Sequence, residues 1–209
     1  WLPGGSTHRP VLADQVERSF PDIARVRDSR LRGLVVETWR FVGSRNAAHT
    51  DIEAIPLHPT FPIERHGSLA SHIRAMATVA RTLVPLYARE WRIDLDLDHF
   101  LVAAFTHDAA KVIEFVERDG ELVATPGFDH AIEGGRIALA VGFPREIAHM
   151  IAAHTYVGRL VLPRTRAAQI FQFLDPLCLP IFPEEGKSAV QRHLEANGWT
   201  PPPEPTDVP

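Results

Sequence analysis

Apolar residues recur at helical intervals along most of the chain. In residues 22–42 they fall at Ile23, Val26, Leu31, Leu34, Val35, Trp39 and Val42, and a similar spacing runs through 11–20. Both segments are expected to be peripheral helices that cover the core, the second with Asp22 as N-cap. Residues 46–62 break the pattern. Pro56, Pro59 and Pro62 interrupt any helix, so an irregular connection able to lie over a pocket is expected, with His49 and His58 as loop histidines. A long helix is expected from Ser68 or Ser71 through Leu86, with Leu69, Ile73, Met76, Val79, Ala80 and Leu83 on one stripe. The next helix, capped by Asp96 or Asp98, is apolar almost all round through Leu101, Val102, Ala103, Ala104 and Phe105, which makes it central and buried. It runs directly into His107-Asp108.

After a short helical segment at 109–116, Asp119-Gly120 sits between the apolar pairs Phe115-Val116 and Leu122-Val123. That dipeptide suits the positive φ angles of a tight hairpin turn, so a small β-hairpin is expected near 115–124. Helices follow at 129–141, 144–154, 164–177 and 187–196. Pro144 and Pro163 stand at or just before helix starts, where a missing N–H is harmless. The proline-rich tail at 201–209 reads as extended or disordered. The expected fold class is all-α with one small hairpin. There is no internal repeat and no glycine-rich phosphate loop.

A length of 209 residues fits one ordinary domain with short terminal additions. The formal net charge of -4 offers no basic field, so nucleic acid is not expected as the main partner. Cys178 is the single cysteine, which excludes an intramolecular disulfide, argues against thiolate-held zinc and fits a reducing cytoplasm. No stretch approaches the roughly 20 apolar residues of a membrane span, and Trp1 to Ser6 lack the layout of a signal peptide. A cytoplasmic protein without a membrane partner is therefore expected.

The unusual feature is the 11 histidines, and their arrangement matters more than their number. Any one of them taken alone is best read as a surface group or a satisfied hydrogen-bonding side chain. His107-Asp108 is different, because a charged aspartate at the end of a buried helix is costly to desolvate unless a cation or a partner compensates it. His72, His130, His154 and Asp175 each lie on or beside apolar helical stretches. Imidazole and carboxylate from facing helices suit iron, manganese, zinc or nickel.

The ordered set His72, His107-Asp108 and Asp175, with the spelling His107-Asp108-Ala109-Ala110-Lys111, resembles the HD superfamily of metal-dependent phosphohydrolases over residues 65–181. The resemblance implies a helical bundle at 63–182, preceded by helices and a covering loop at 1–62 and followed by a helix and tail at 183–209. His130 and His154 look like the extra ligands of the dimetal subgroup. By this resemblance His72, His107, Asp108 and Asp175 hold one metal, and Asp108 bridges to a second held by His130 and His154. His149, five residues before His154, cannot face the same metal on a regular helix, and His154 has the better family context.

The activity so implied is phosphoester cleavage by metal-activated hydroxide, with Asp108 and Lys111 as catalytic groups and iron or manganese as the metals. The same subgroup includes mixed-valent diiron oxygenases acting on small phosphonates or polyols, and a non-enzymatic sensor module is a third reading. Thr155-Tyr156-Val157-Gly158 follows His154 in place of a GYP motif, which argues against a cyclic-di-GMP phosphodiesterase. The substrate is expected to be a small anion. His66, Arg159 and Arg164 are candidate contacts to it, with solvated surface charge as the competing reading of the arginines. Trp39, Trp91 and Trp199 are read as packing residues.

Overall fold

A proline at position 21 disfavours helical backbone at the residue before it, and Phe20 accordingly leaves the helix at φ -126°. In the computed structural model, which describes residues 12–46, 48–155 and 161–179, the segment expected as a helix at 11–20 forms a 3-10 turn, Ala13–Gln15, that runs into α1 (Val16–Ser19). A second 3-10 turn, Pro21–Arg25, precedes α2 (Ser29–Arg45). The cap of α2 is Asp28 rather than Asp22: its carboxylate accepts from the N–H groups of Arg30 and Leu31 at 2.8 and 3.2 Å. The late start has a distant cause. Buried Asp98 accepts from the N–H groups of Arg27 and Asp28 at 3.0 and 2.9 Å, holding the chain out of helical form there.

The connection at 46–62 is irregular apart from the 3-10 turn Ile52–Ala54. It is tied down where Leu69 N–H donates to Ile55 O at 2.8 Å. After α3 (Ile63–His66), α4 (Leu69–Trp91) starts at Ser68, whose hydroxyl accepts from Ser71 N–H at 3.2 Å. Pro85 removes one backbone donor without ending α4. The helix stops where Arg92 turns left-handed at φ 52° and Ile93 N–H returns to Tyr87 O at 3.2 Å. Asp96 caps α5 (Leu97–Thr106), which is buried from Phe100 to Thr106.

Beyond α6 (Lys111–Glu114), β1 (Phe115–Arg118) and β2 (Glu121–Ala124) pair antiparallel with Arg118 opposite Glu121. The turn residues Asp119 and Gly120 both take positive φ, 53° and 81°, as the hairpin requires. Three helices complete the described chain: α7 (His130–Val141), α8 (Arg145–Ala152) and α9 (Arg166–Leu177). The helix expected at 187–196, the tail at 201–209 and Trp199 lie outside the described residues.

Helix α5 packs against α4, α2 and α8, while α9 packs against α4 and α8. The N-terminal segments contribute directly to the core. The Phe20 ring lies 5.5 Å from Trp39 and 5.7 Å from Phe105, and Trp39 Nε1 donates to Phe105 O at 3.0 Å. Each such fully buried side chain stabilises the fold by roughly 1.5–3 kcal/mol. Helices α7 and α8 approach so closely that a Cβ at Gly135 would stand 2.7 Å from Ala152 Cβ and 3.0 Å from Ala148 O. Among the described residues no helix is long and apolar enough to cross a membrane.

Candidate metal centre

The C-terminal end of α5 is where the chemistry gathers. His107 and Asp108 occupy the turn that leaves this apolar helix, and both are buried. His72 reaches them from the first turn of α4, and Asp175 from the last turn of α9. His130 is the first residue of α7, where the Asp129 cap fixes the helix start by accepting from Ala131 and Ile132 N–H at 2.9 and 3.0 Å. Helix α8 ends at Ala152, so His154 stands just past it in irregular chain. His149 stays on α8, and its Nε2 accepts from Arg164 N–H at 2.9 Å.

Asp108 divides the cluster. Its Oδ2 lies 3.7 Å from His72 Nε2 and 3.4 Å from His107 Nε2, whereas its Oδ1 lies 3.3 Å from His130 Nε2 and 3.4 Å from His154 Nε2. Two groups of potential ligand atoms result, one of His72, His107 and Asp108 and one of Asp108, His130 and His154. Asp175 Oδ1 adds to the first, 3.1 Å from His72 Nε2 and 4.0 Å from His107 Nε2.

The backs of the rings fix their tautomers. His107 Nδ1 faces Ala104 O at 2.9 Å, His154 Nδ1 faces Ile151 O at 2.6 Å, and His72 Nδ1 faces Cys178 O at 3.3 Å. A carbonyl only accepts, so each Nδ1 must carry the proton and each Nε2 lone pair turns inward. His72 and His107 then oppose their Nε2 atoms at 3.1 Å, a contact that is repulsive unless a cation or a shared proton lies between them. His130 differs: its Nδ1 lies 3.0 Å from a carboxylate oxygen, Glu114 Oε2.

Electrostatics follow from this crowding. Burial raises a carboxyl pKa, but Lys111 and His107 overcome that effect and hold Asp108 well below the usual range. For Asp175 the burial effect is likewise outweighed, here by His72, and the pKa falls to about 2. Burial pushes His107 down despite the attraction of Asp108. His154 is buried as well, yet its interactions with Asp108 and Asp175 outweigh burial and hold its pKa above the ordinary histidine value.

A family model described as HD domain matches residues 69–178, just over half of the chain. The chain belongs to the HD domain family. No curated protein and no solved structure was found to match it. The HD family is a metal-dependent phosphohydrolase-type superfamily, and the residues present fit such a metal. Asp108 Oδ1 is buried without a hydrogen-bond partner among the described residues, although two imidazole nitrogens flank it. A cation held between these groups removes that penalty.

The remaining candidates sit around the HD turn. Lys111 Nζ donates to Asp108 Oδ2 at 2.8 Å and to Leu57 O at 3.3 Å, so the 46–62 connection passes over it. His66 packs on Phe61 with ring centroids 5.2 Å apart, Phe61 meets His58 at 5.4 Å, and His58 meets Phe115 at 6.2 Å. Arg164 is exposed, and Arg159 lies outside the described residues. Two contributors escape sequence reasoning: Glu114 and the Leu57 carbonyl. The signal for Glu114 was a lone acid between Val112-Ile113 and Phe115-Val116, in an otherwise apolar run. A backbone carbonyl leaves no signal in sequence.

Proposed function

We propose that the chain is a dinuclear metal-dependent phosphohydrolase that cleaves a phosphoester of a small anionic substrate. The observation that carries this reading is the division of Asp108, with one oxygen turned to His72 and His107 and the other to His130 and His154. On this reading Asp108 would be shared by two ions, His72, His107 and Asp175 would complete one position, and His130 and His154 would complete the other. Imidazole and carboxylate donors without sulfur suit iron or manganese. When bound, such a pair supplies Lewis-acid activation of the phosphoryl group and of the attacking water.

Lys111 has three N–H donors and directs two at Asp108 and Leu57 O, which leaves one for a phosphoryl oxygen. Its charge also keeps Asp108 ionised, as a bridging ligand must be. On this reading His66, which packs on Phe61 and through it on His58, would contact substrate. Arg164 and Arg159 remain candidates for binding its anionic end.

The same six side chains also suit two irons, which makes a mixed-valent diiron oxygenase the alternative. A sensor module is disfavoured because the whole donor set is retained. Turnover of a panel of phosphoesters by manganese-loaded protein, with oxygen excluded, separates the readings. Ester cleavage that is lost in Asp108→Ala is the expected result. Strictly oxygen-dependent turnover of a phosphonate or polyol, with no ester cleaved under any metal, would overturn the hydrolase in favour of the oxygenase.

A further inference from the structure

We infer that Glu114 is a positioning residue for the second metal position, acting through His130. The inference rests on the dinuclear reading and concerns its less well-furnished half. The first position has Asp175 in addition to the shared Asp108. Among the described residues the second has two imidazoles and that shared carboxylate, a meagre negative charge for a divalent ion. Glu114 supplies the missing charge one shell out. Of the four histidines facing Asp108, three turn Nδ1 to a backbone carbonyl, while His130 Nδ1 lies 3.0 Å from Glu114 Oε2. That oxygen is buried and has no aligned hydrogen bond among the described residues, so the His130 ring is its compensation.

The backbone around Glu114 is held from several sides. Glu114 O accepts from both the N–H and the hydroxyl of Thr125, each at 2.9 Å, at the point where the hairpin closes. Asn46 Nδ2 donates to Val112 O and Phe115 O at 2.9 Å each. The hairpin thereby serves the metal centre, because it returns the chain so that Thr125 pins the residue behind His130. A carboxylate behind a ligating imidazole fixes its tautomer and direction and makes it a stronger ligand, and losing such a partner typically lowers metal affinity about 10–100-fold.

The test titrates manganese alone into metal-free full-length wild type and Glu114→Gln, followed by calorimetry and metal counting, with thermal melting of the metal-free proteins alongside. Gln keeps the size and an acceptor oxygen but not the charge. The expected result is an unchanged first binding step, a second step weakened about 10–100-fold, and an unchanged metal-free melting temperature. Two unchanged steps, or two equally weakened steps with a lowered melting temperature, would overturn the inference. If Glu114→Gln does not fold, Glu114→Asp serves instead; it withdraws the charge from His130 and should weaken the second step alone, and equal behaviour of both steps again overturns the inference. A wild-type chain that takes up a single ion sinks the dinuclear reading itself, and the role of Glu114 with it.

Discussion

A carboxylate as buried as that of Asp108 is stable only among cations or donors, and in the metal-free protein Lys111 is the nearest cation to it among the described residues, 2.8 Å away. Lys111→Met keeps most of the aliphatic volume and removes that charge. The metal-free variant is expected to lose on the order of 3–5 kcal/mol, the usual cost of stranding a buried ion, and to regain most of it with saturating manganese. Denaturant unfolding with and without metal checks this, and equal stability of the two metal-free proteins would contradict it. His154 gives a pH signature. Its pKa is raised in the metal-free site, so a proton competes with metal there. Affinity should fall as pH is lowered through the histidine range, and binding should release protons, seen as a calorimetric heat that changes with buffer ionisation enthalpy. Buffer-independent heats would argue against imidazole ligation. At this scale the six candidate ligands could be named from the sequence only through the family resemblance, which their order along the chain carries. Glu114 could not, because its meaning depends on where His130 lies in space.

Helix ends decide which of these side chains meet. Asp129 starts α7 at His130, Ser68 starts α4 four residues before His72, and the end of α8 at Ala152 frees His154 to turn inward. Local chemistry made much of this readable: the Asp119-Gly120 turn, the Asp96 cap and the prolines ahead of α8 and α9 all act within a few residues. The displaced start of α2 was unreadable because Asp98, remote in sequence, holds residues 27 and 28. The α7–α8 contact invites a direct test. Gly135→Ala forces a methyl against Ala152 and Ala148 O and should destabilise the fold by about 1–3 kcal/mol. Because α7 carries His130 and α8 leads to His154, the second metal step should weaken more than the first. Unchanged unfolding midpoints would show that the helices can separate freely.

Across the whole molecule, side chains separated by a hundred residues of chain, from His72 to Asp175, converge on the end of one buried helix. The all-α class was legible because 3.6-residue periodicity recurs over most of the chain. Which helix ends meet was legible only through family resemblance, since periodicity fixes faces and not neighbours. The convergence is the basis of the central claim, that Asp108 serves two metal positions at once. Elemental analysis of anaerobically purified protein, wild type beside His130→Ala, tests it most directly. The expected result is roughly two ions in the wild type and roughly one in the variant, as a two-metal site requires; one ion in the wild type, with His130→Ala unchanged, would contradict it.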